Sequence, residues 1–231
     1  MNALRAAFAY FSILPAGFAG APRSREFALL PLVGVAIGGL AGAAGRLSAF
    51  VLPAPLAVVV AFALSVVLSG AIHVDGLLDV ADALFASVPR ERRLEILKDP
   101  HHGTYALAAL GIAVPAWLGA IAAIPAPAWP WAFAFCAGIA RAAAVLNAYR
   151  FPYAGERPNA VLLLVAAVGA GACCWPHPRL VLLAVPAAVL ALALGAWCAR
   201  RLGGVLVGDC YGAVIVVLEI VLLAGVAVAL R

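Results

Sequence analysis

Apolar residues in this chain run in long blocks instead of alternating with polar ones. Seven such blocks can be drawn, at roughly 27–46, 54–72, 104–124, 130–149, 160–176, 180–199 and 211–230, with short polar segments between them. A helix rising 1.5 Å per residue needs about 20 apolar residues to cross a hydrocarbon core of about 30 Å. The pattern therefore predicts an all-α fold, a polytopic helical membrane protein with about seven transmembrane helices. The first block is the least regular, because Pro31 and several glycines interrupt it. No polar segment is long enough to bury a core of its own, so residues 1–231 are expected to form one integral membrane domain. Composition agrees: the chain is 67% hydrophobic and 11% charged, where a soluble domain is nearer one quarter charged.

Charge placement orients the bundle. The formal net charge is +5, which could suggest nucleic acid until its distribution is followed. With the N-terminus in the cytoplasm, one side collects Arg5, Arg23, Arg25, Arg90, Arg92, Arg93, Lys98, Arg150, Arg157, Arg200 and Arg201. The other side receives Arg46, Arg179 and Arg231, and Arg141 falls inside a block. This positive-inside bias predicts a cytoplasmic N-terminus and an outside C-terminus. It brings three polar segments, 73–103, 150–159 and 200–210, to the cytoplasmic face. The middle one holds Arg150, Tyr153, Glu156, Arg157 and Asn159. Polar chemistry on one side suits an active site and disfavours a conduction path, which needs polar groups through the whole membrane. Near the start, Arg5 precedes an apolar run ending at Ala19-Gly20-Ala21, as in a secretory leader. Pro15 and two glycines break that run, which favours an interfacial or re-entrant segment. The five cysteines show no metal-ligand spacing and are expected to be small packing residues.

Six of the ten acidic residues fall between Asp75 and Asp99. The densest stretch is His73-Val74-Asp75-Gly76-Leu77-Leu78-Asp79-Val80-Ala81-Asp82. On a helix, Asp75, Asp79 and Asp82 share an arc of roughly 60°. An N-cap and a solvated helix face account for one aspartate and poorly for three. Three carboxylates on one stripe repel one another unless a cation lies between them. Mg²⁺ is held by one or two carboxylates plus substrate phosphates, so the stripe predicts a metal–diphosphate site. Gly76 lets backbone approach a ligand, or relieves packing. His73 is a candidate ligand, base or hydrogen-bond donor, or an ordinary interfacial imidazole. Lys98 can neutralise phosphate, and Asp99 can cap the next span or add a fourth carboxylate. His101 and His102 do not suggest zinc, since adjacent loop residues seldom ligate one metal. Segment 90–98 reads as an interfacial amphipathic helix with Leu94 and Leu97 toward lipid; its bases form a charged surface or a rim that attracts a polyanion. The glycine-rich Gly203–Ala213 stretch turns sharply into the last block and carries Gly208 and Asp209 to a helix start. Arg141 and Glu219, both inside blocks, pair with each other or mark a substrate site.

Taken together, these motifs resemble cobalamin synthase, the adenosylcobinamide-GDP ribazoletransferase family of late vitamin B12 synthesis. The family signature His-x-Asp-Gly-x-x-Asp-x-x-Asp is matched by His73, Asp75, Gly76, Asp79 and Asp82. A following Lys-Asp and Gly-Thr-Tyr are matched by Lys98, Asp99, Gly103, Thr104 and Tyr105, and a late Gly-Asp-x-x-Gly-Ala by Gly208, Asp209, Gly212 and Ala213. The opening Phe11-Ser12-Ile13-Leu14-Pro15 and the Pro-Leu-Val-Gly of the first block also fit. The chain departs from the family pattern at Ala83, at Pro100-His101 and at Val207. The resemblance implies a multi-pass enzyme of the bacterial inner membrane, with its active site facing the cytoplasm. It implies that adenosylcobinamide-GDP is joined to α-ribazole or its 5′-phosphate with release of GMP. Catalytic roles are expected for Asp75, Asp79, Asp82 and His73, with Mg²⁺ on the three aspartates. Substrate contacts are expected from Gly76, Lys98, Asp99, Gly103, Arg141, Gly208 and Asp209. A homo-oligomer is compatible with this picture; nucleic acid is not a partner. The alternative enzyme is a CDP-alcohol phosphotransferase-like or prenyltransferase-like protein acting on another Mg-diphosphate substrate. The first lacks its further aspartates here, and the second lacks a second Asp-rich helix. An ion-coupled transporter would need midplane carboxylates in several spans, and only Glu219 qualifies.

Overall fold

Each apolar block is helical, and the chain turns where proline, glycine or polar residues end it. The computed structural model describes residues 2–17, 20, 23–152 and 156–231. Tyr153, and the Ala19 and Ala21 of the leader alternative, lie outside the described residues. In chain order the helices are α1 (Ala3–Phe11), α2 (Ser24–Ala28), α3 (Leu30–Ser48), α4 (Ala54–Leu68), α5 (Ile72–Phe85) and α6 (Arg90–Ile96). They continue with α7 (Thr104–Ala122), α8 (Trp129–Val145), α9 (Asn147–Arg150), α10 (Ala160–Ala172), α11 (Ala184–Leu202) and α12 (Gly208–Ala229).

The fold is all-helical, as expected, but the number of crossings is smaller on length alone. Among the described residues, five stretches are long and apolar enough to span: α3, α7, 126–150, 178–202 and α12. A sixth appears if α4 and α5 count as one broken span. The block at 160–176 yields only the 13-residue α10, which begins where the Asn159 side chain accepts the Leu162 N–H at 3.0 Å.

Contacts between chain ends show how the bundle alternates. At one end Ser24 meets Glu156 and Asn159 ahead of α10, Leu206 N–H binds Pro152 O, and Ile13 N–H binds Leu68 O at the end of α4. Arg90 and Arg93 of α6 reach the last carbonyls of α11 at this same end. At the opposite end Arg46 donates to Pro127 O at 2.9 Å. The described parts of the three polar segments, 73–103, 150–152 with 156–159, and 200–210, therefore share one polar end.

Glycine fixes the tightest helix pair. Gly34, Gly38 and Gly42 on α3 face the backbone carbonyls of Ala137, Phe133 and Trp129 on α8, four residues apart on both helices. A Cβ at Gly34 would sit 2.6 Å from Ala137 O. Between lipid-embedded helices no hydrophobic drive favours association, so close backbone packing of this small-xxx-small kind holds the pair.

Consecutive left-handed residues, Gly70 (φ +64°) and Ala71 (φ +58°), end α4 and turn α5 away by 84°. The bend turns α5 onto α12 and α7, and residues near its start, His73 and Gly76, meet the start of α12. Segment 73–103 is thus two packed helices more than a loop. Leu94 on α6 and Leu97 at its C-cap are half-buried against the core.

Candidate functional site

The site begins with two glycines where α5 crosses α12. A Cβ on Gly76 would lie 2.8 Å from Asp209 O, and one on Gly212 would lie 3.2 Å from His73 Cα. Only residues without side chains let these backbones touch. Gly76 therefore serves packing, and the contact brings the α5 carboxylates beside Asp209.

The three-aspartate stripe divides. Asp75 and Asp79 remain together, and their partner is His102, which sequence reasoning set aside. His102 Nε2 lies 3.8 Å from Asp75 Oδ1, and its Nδ1 lies 3.5 Å from Asp79 Oδ1. One donor atom from each of the three falls within 4.8 Å of the others. Asp82 is engaged elsewhere: its two oxygens accept the N–H groups of Gly103 and Ala106, the second at 3.0 Å. A helix start leaves its first N–H groups without intrahelical partners, so the buried Asp82 carboxylate caps α7 from another helix. Gly103 fits this contact, because a Cβ there would approach Asp82 Oδ1 at 3.0 Å.

The electrostatics match the crowding. Asp75 is well exposed, with 63% of its side chain open, whereas Asp79 keeps only 16%. Burial first, then the charges of Asp75 and Asp209, push the Asp79 carboxyl up to about 6. A dication among these oxygens would reverse that penalty. Donors at about 2.1 Å around an octahedral ion stand roughly 3.0 Å apart when adjacent and 4.2 Å when opposite. The 3.5 and 3.8 Å contacts use different nitrogens of one ring, of which an ion takes only one. Taken with one donor atom from each residue, the three lie within 4.8 Å of one another, slightly wider than the larger limit. The donor set fits a divalent cation.

His73 lies on the other side of α5. It is buried, and its Nε2 has no hydrogen-bond partner among the described residues. Burial, with Arg141 nearby, holds its imidazole well below the usual histidine range, hence neutral. It lines a cavity of about 130 Å³ with Gly208, Asp209, Tyr10 and Phe11. Of this aromatic pair from α1, Phe11 belongs to the opening motif, whereas Tyr10 was not singled out by any motif.

The remaining candidates are scattered. Lys98 and Asp99 are exposed; Asp99 accepts the His101 N–H at 3.0 Å and meets its ring at 2.8 Å, which holds the Asp99 carboxyl below the ordinary range. Arg90 donates to Leu202 O at 2.8 Å and Arg93 to Arg201 O at 3.2 Å, so part of the expected cationic rim caps α11. Arg141 forms a buried ion pair with Glu219 and also donates to Ala137 O at 3.0 Å. Gly208 has open space where its side chain would be. His102 was not legible along the chain, because more than twenty residues separate it from Asp75 and Asp79. The two segments are joined through the bonds of Asp82 to Gly103 and Ala106 and the packing of α7 on α5.

Known proteins resemble this chain over most of its length. The family model for cobalamin-5-phosphate synthase matches residues 3–227. An adenosylcobinamide-GDP ribazoletransferase of Deinococcus radiodurans is 37% identical over 234 residues, covering 96% of this chain and 84% of that protein. The proteins of that name from Syntrophobacter fumaroxidans (32% identical; 88% of this chain, 87% of the other) and Bradyrhizobium diazoefficiens (36%; 83% and 73%) are similar too. No solved structure matches.

Proposed function

The chain belongs to the cobalamin-5-phosphate synthase family, and on that premise we propose how its polar end performs the family reaction. Adenosylcobinamide-GDP is joined to α-ribazole or α-ribazole 5′-phosphate, and GMP leaves. A ribose hydroxyl oxygen bonds to the phosphorus on the corrinoid arm. The bond from that phosphorus to the anhydride oxygen breaks, and its electron pair departs with GMP. Such transfers depend on positioning and charge neutralisation more than on covalent help.

One observation carries this assignment to residues: two carboxylates and an imidazole gathered at the polar end of a membrane bundle. Unaccompanied carboxylates would repel a diphosphate. Asp75 and Asp79 are the residues that would hold Mg²⁺, which when bound supplies charge neutralisation for the anhydride oxygens. Lys98, exposed at this end, offsets charge on the departing nucleotide. The open backbone at Gly208, at the start of α12, offers N–H groups and the positive end of a helix dipole to phosphate. His73 would take the hydroxyl proton: it is neutral, its Nε2 has no hydrogen-bond partner among the described residues, and the residue lines a cavity with Asp209. The collection of eleven bases at this end supports a cytoplasm-facing site in a bacterial inner membrane.

The test is GMP release by purified, detergent-solubilised protein given adenosylcobinamide-GDP, α-ribazole 5′-phosphate and Mg²⁺, with corrinoid product followed in parallel. Release matched by product, and abolished by EDTA or by Asp75→Ala, is expected. Undiminished turnover in Asp75→Ala would remove Asp75 from the centre. His73→Gln should lower kcat and leave divalent-ion affinity unchanged; an unchanged kcat would exclude His73 as the base.

A further inference from the structure

His102 lies between two carboxylates of α5, Asp75 and Asp79, within ion-pair range of both. Its two ring nitrogens face Asp79 at 3.5 Å and Asp75 at 3.8 Å. Both distances exceed the 2.7–3.2 Å range of a formed N–H···O bond. Neither nitrogen has a hydrogen bond to any other described residue, and the ring is only about one third exposed. One of these nitrogens can ligate an ion held by the two carboxylates, since one donor atom from each of the three residues falls within 4.8 Å of the others.

Its position is built in. The neighbouring Gly103 N–H is bound by Asp82, which lies one turn beyond Asp79 on α5. The helix that carries both carboxylates therefore also anchors the strand of backbone that presents His102. Asp82 is a positioning residue in this arrangement.

We propose that His102 is the third protein ligand of the metal centre, giving a mixed nitrogen–oxygen donor set that holds Mn²⁺ more tightly than Mg²⁺. The proposal rests on the metal-assisted transfer described above and deepens it. Carboxylates suit both ions, whereas an imidazole donor favours the transition metal. Mg²⁺ also gives up its water reluctantly and prefers oxygen. His101, one residue away, is held by Asp99 and takes no part.

The experiment uses the full chain in detergent. Mn²⁺ binding is followed by the loss of its free electron-paramagnetic-resonance signal, and bound Mn²⁺ is inspected by pulsed methods for coupling to ¹⁴N. Wild-type protein is expected to bind Mn²⁺ with clear ¹⁴N modulation, and Mg²⁺ should displace it only at about tenfold or greater excess. His102→Gln should lose the modulation and bind Mn²⁺ roughly tenfold more weakly, with a smaller change for Mg²⁺. His101→Gln should behave as wild type, which controls for nonspecific loop effects. Bound Mn²⁺ without ¹⁴N modulation, or an unchanged affinity in His102→Gln, overturns ligation by His102 and leaves the carboxylate centre standing. A folded wild-type protein that binds no Mn²⁺ overturns the metal centre itself, and this proposal with it.

Discussion

Replacing Asp82 separates two roles that a carboxylate on this stripe could have. As the cap of α7, it accepts the N–H groups of Gly103 and Ala106 from a site only 9% exposed. Losing an N-cap costs about 0.5–2 kcal/mol, and a hydrogen bond to a charged group is worth about 1.5–3 kcal/mol. The two bonds share one carboxylate and are not additive, so Asp82→Ala should destabilise by about 2–3 kcal/mol. Asp82→Asn keeps one acceptor and turns an amide toward the other N–H, so it should lose roughly half as much. For a chain of this size, each kcal/mol moves the melting midpoint by about 2–4 °C. Thermal unfolding in detergent should then rank wild type above Asp82→Asn above Asp82→Ala, with the Ala variant lower by roughly 4–12 °C. Mn²⁺ affinity of Asp82→Asn should change less than about threefold, because its oxygens already serve N–H groups, while Asp79→Asn should lose tenfold or more. An Asp82→Asn protein that melts like wild type yet no longer binds Mn²⁺ would make Asp82 a ligand and refute the capping assignment.

Three further outcomes follow from the same geometry. Asp79, pushed up to about 6, must be ionised to hold a metal, so protons compete below that pH; Mn²⁺ affinity by titration should fall about fourfold from pH 7.5 to 5.5, and a flat profile would contradict the assignment. Gly38→Ala drives a Cβ to within 2.7 Å of the Phe133 carbonyl carbon and should cost at least about 2 kcal/mol, whereas Gly39→Ala meets only Ala134 Cβ at 3.7 Å and should be nearly neutral in the same melt. Arg141→Met or Glu219→Gln leaves a buried charge unpaired and should cost about 3–5 kcal/mol, but the Arg141→Met/Glu219→Leu double variant should recover most of that and keep turnover; a double variant that is stable but inactive would give Arg141 a substrate role.

The sequence by itself determined the membrane class, the helical blocks and the end at which the chemistry collects. Those properties follow from local composition: a continuous apolar run must become a helix in lipid, and Arg and Lys sort to one side whatever the packing. The aspartates of α5 and the late Gly-Asp were legible for a similar reason, since a helix places i and i+4 together without help from the rest of the fold. What only the tertiary structure decided was the partner of each group. Whether Asp82 meets a metal or an N–H depends on where α7 begins in space, and that is set by the 84° turn at Gly70 and Ala71. His102 joins Asp75 and Asp79 through that same contact, although nothing in its own neighbourhood along the chain relates it to them. Arg90 and Arg93 read as free charge until the carbonyl end of α11 appears beside them. α10 starts where its block does, capped by Asn159, and is short because it ends at Ala172, with Cys173 as C-cap, before the apolar run is over. Periodicity and composition act over a few turns of chain, whereas hydrogen-bond and ion partners are chosen by packing between segments far apart in sequence.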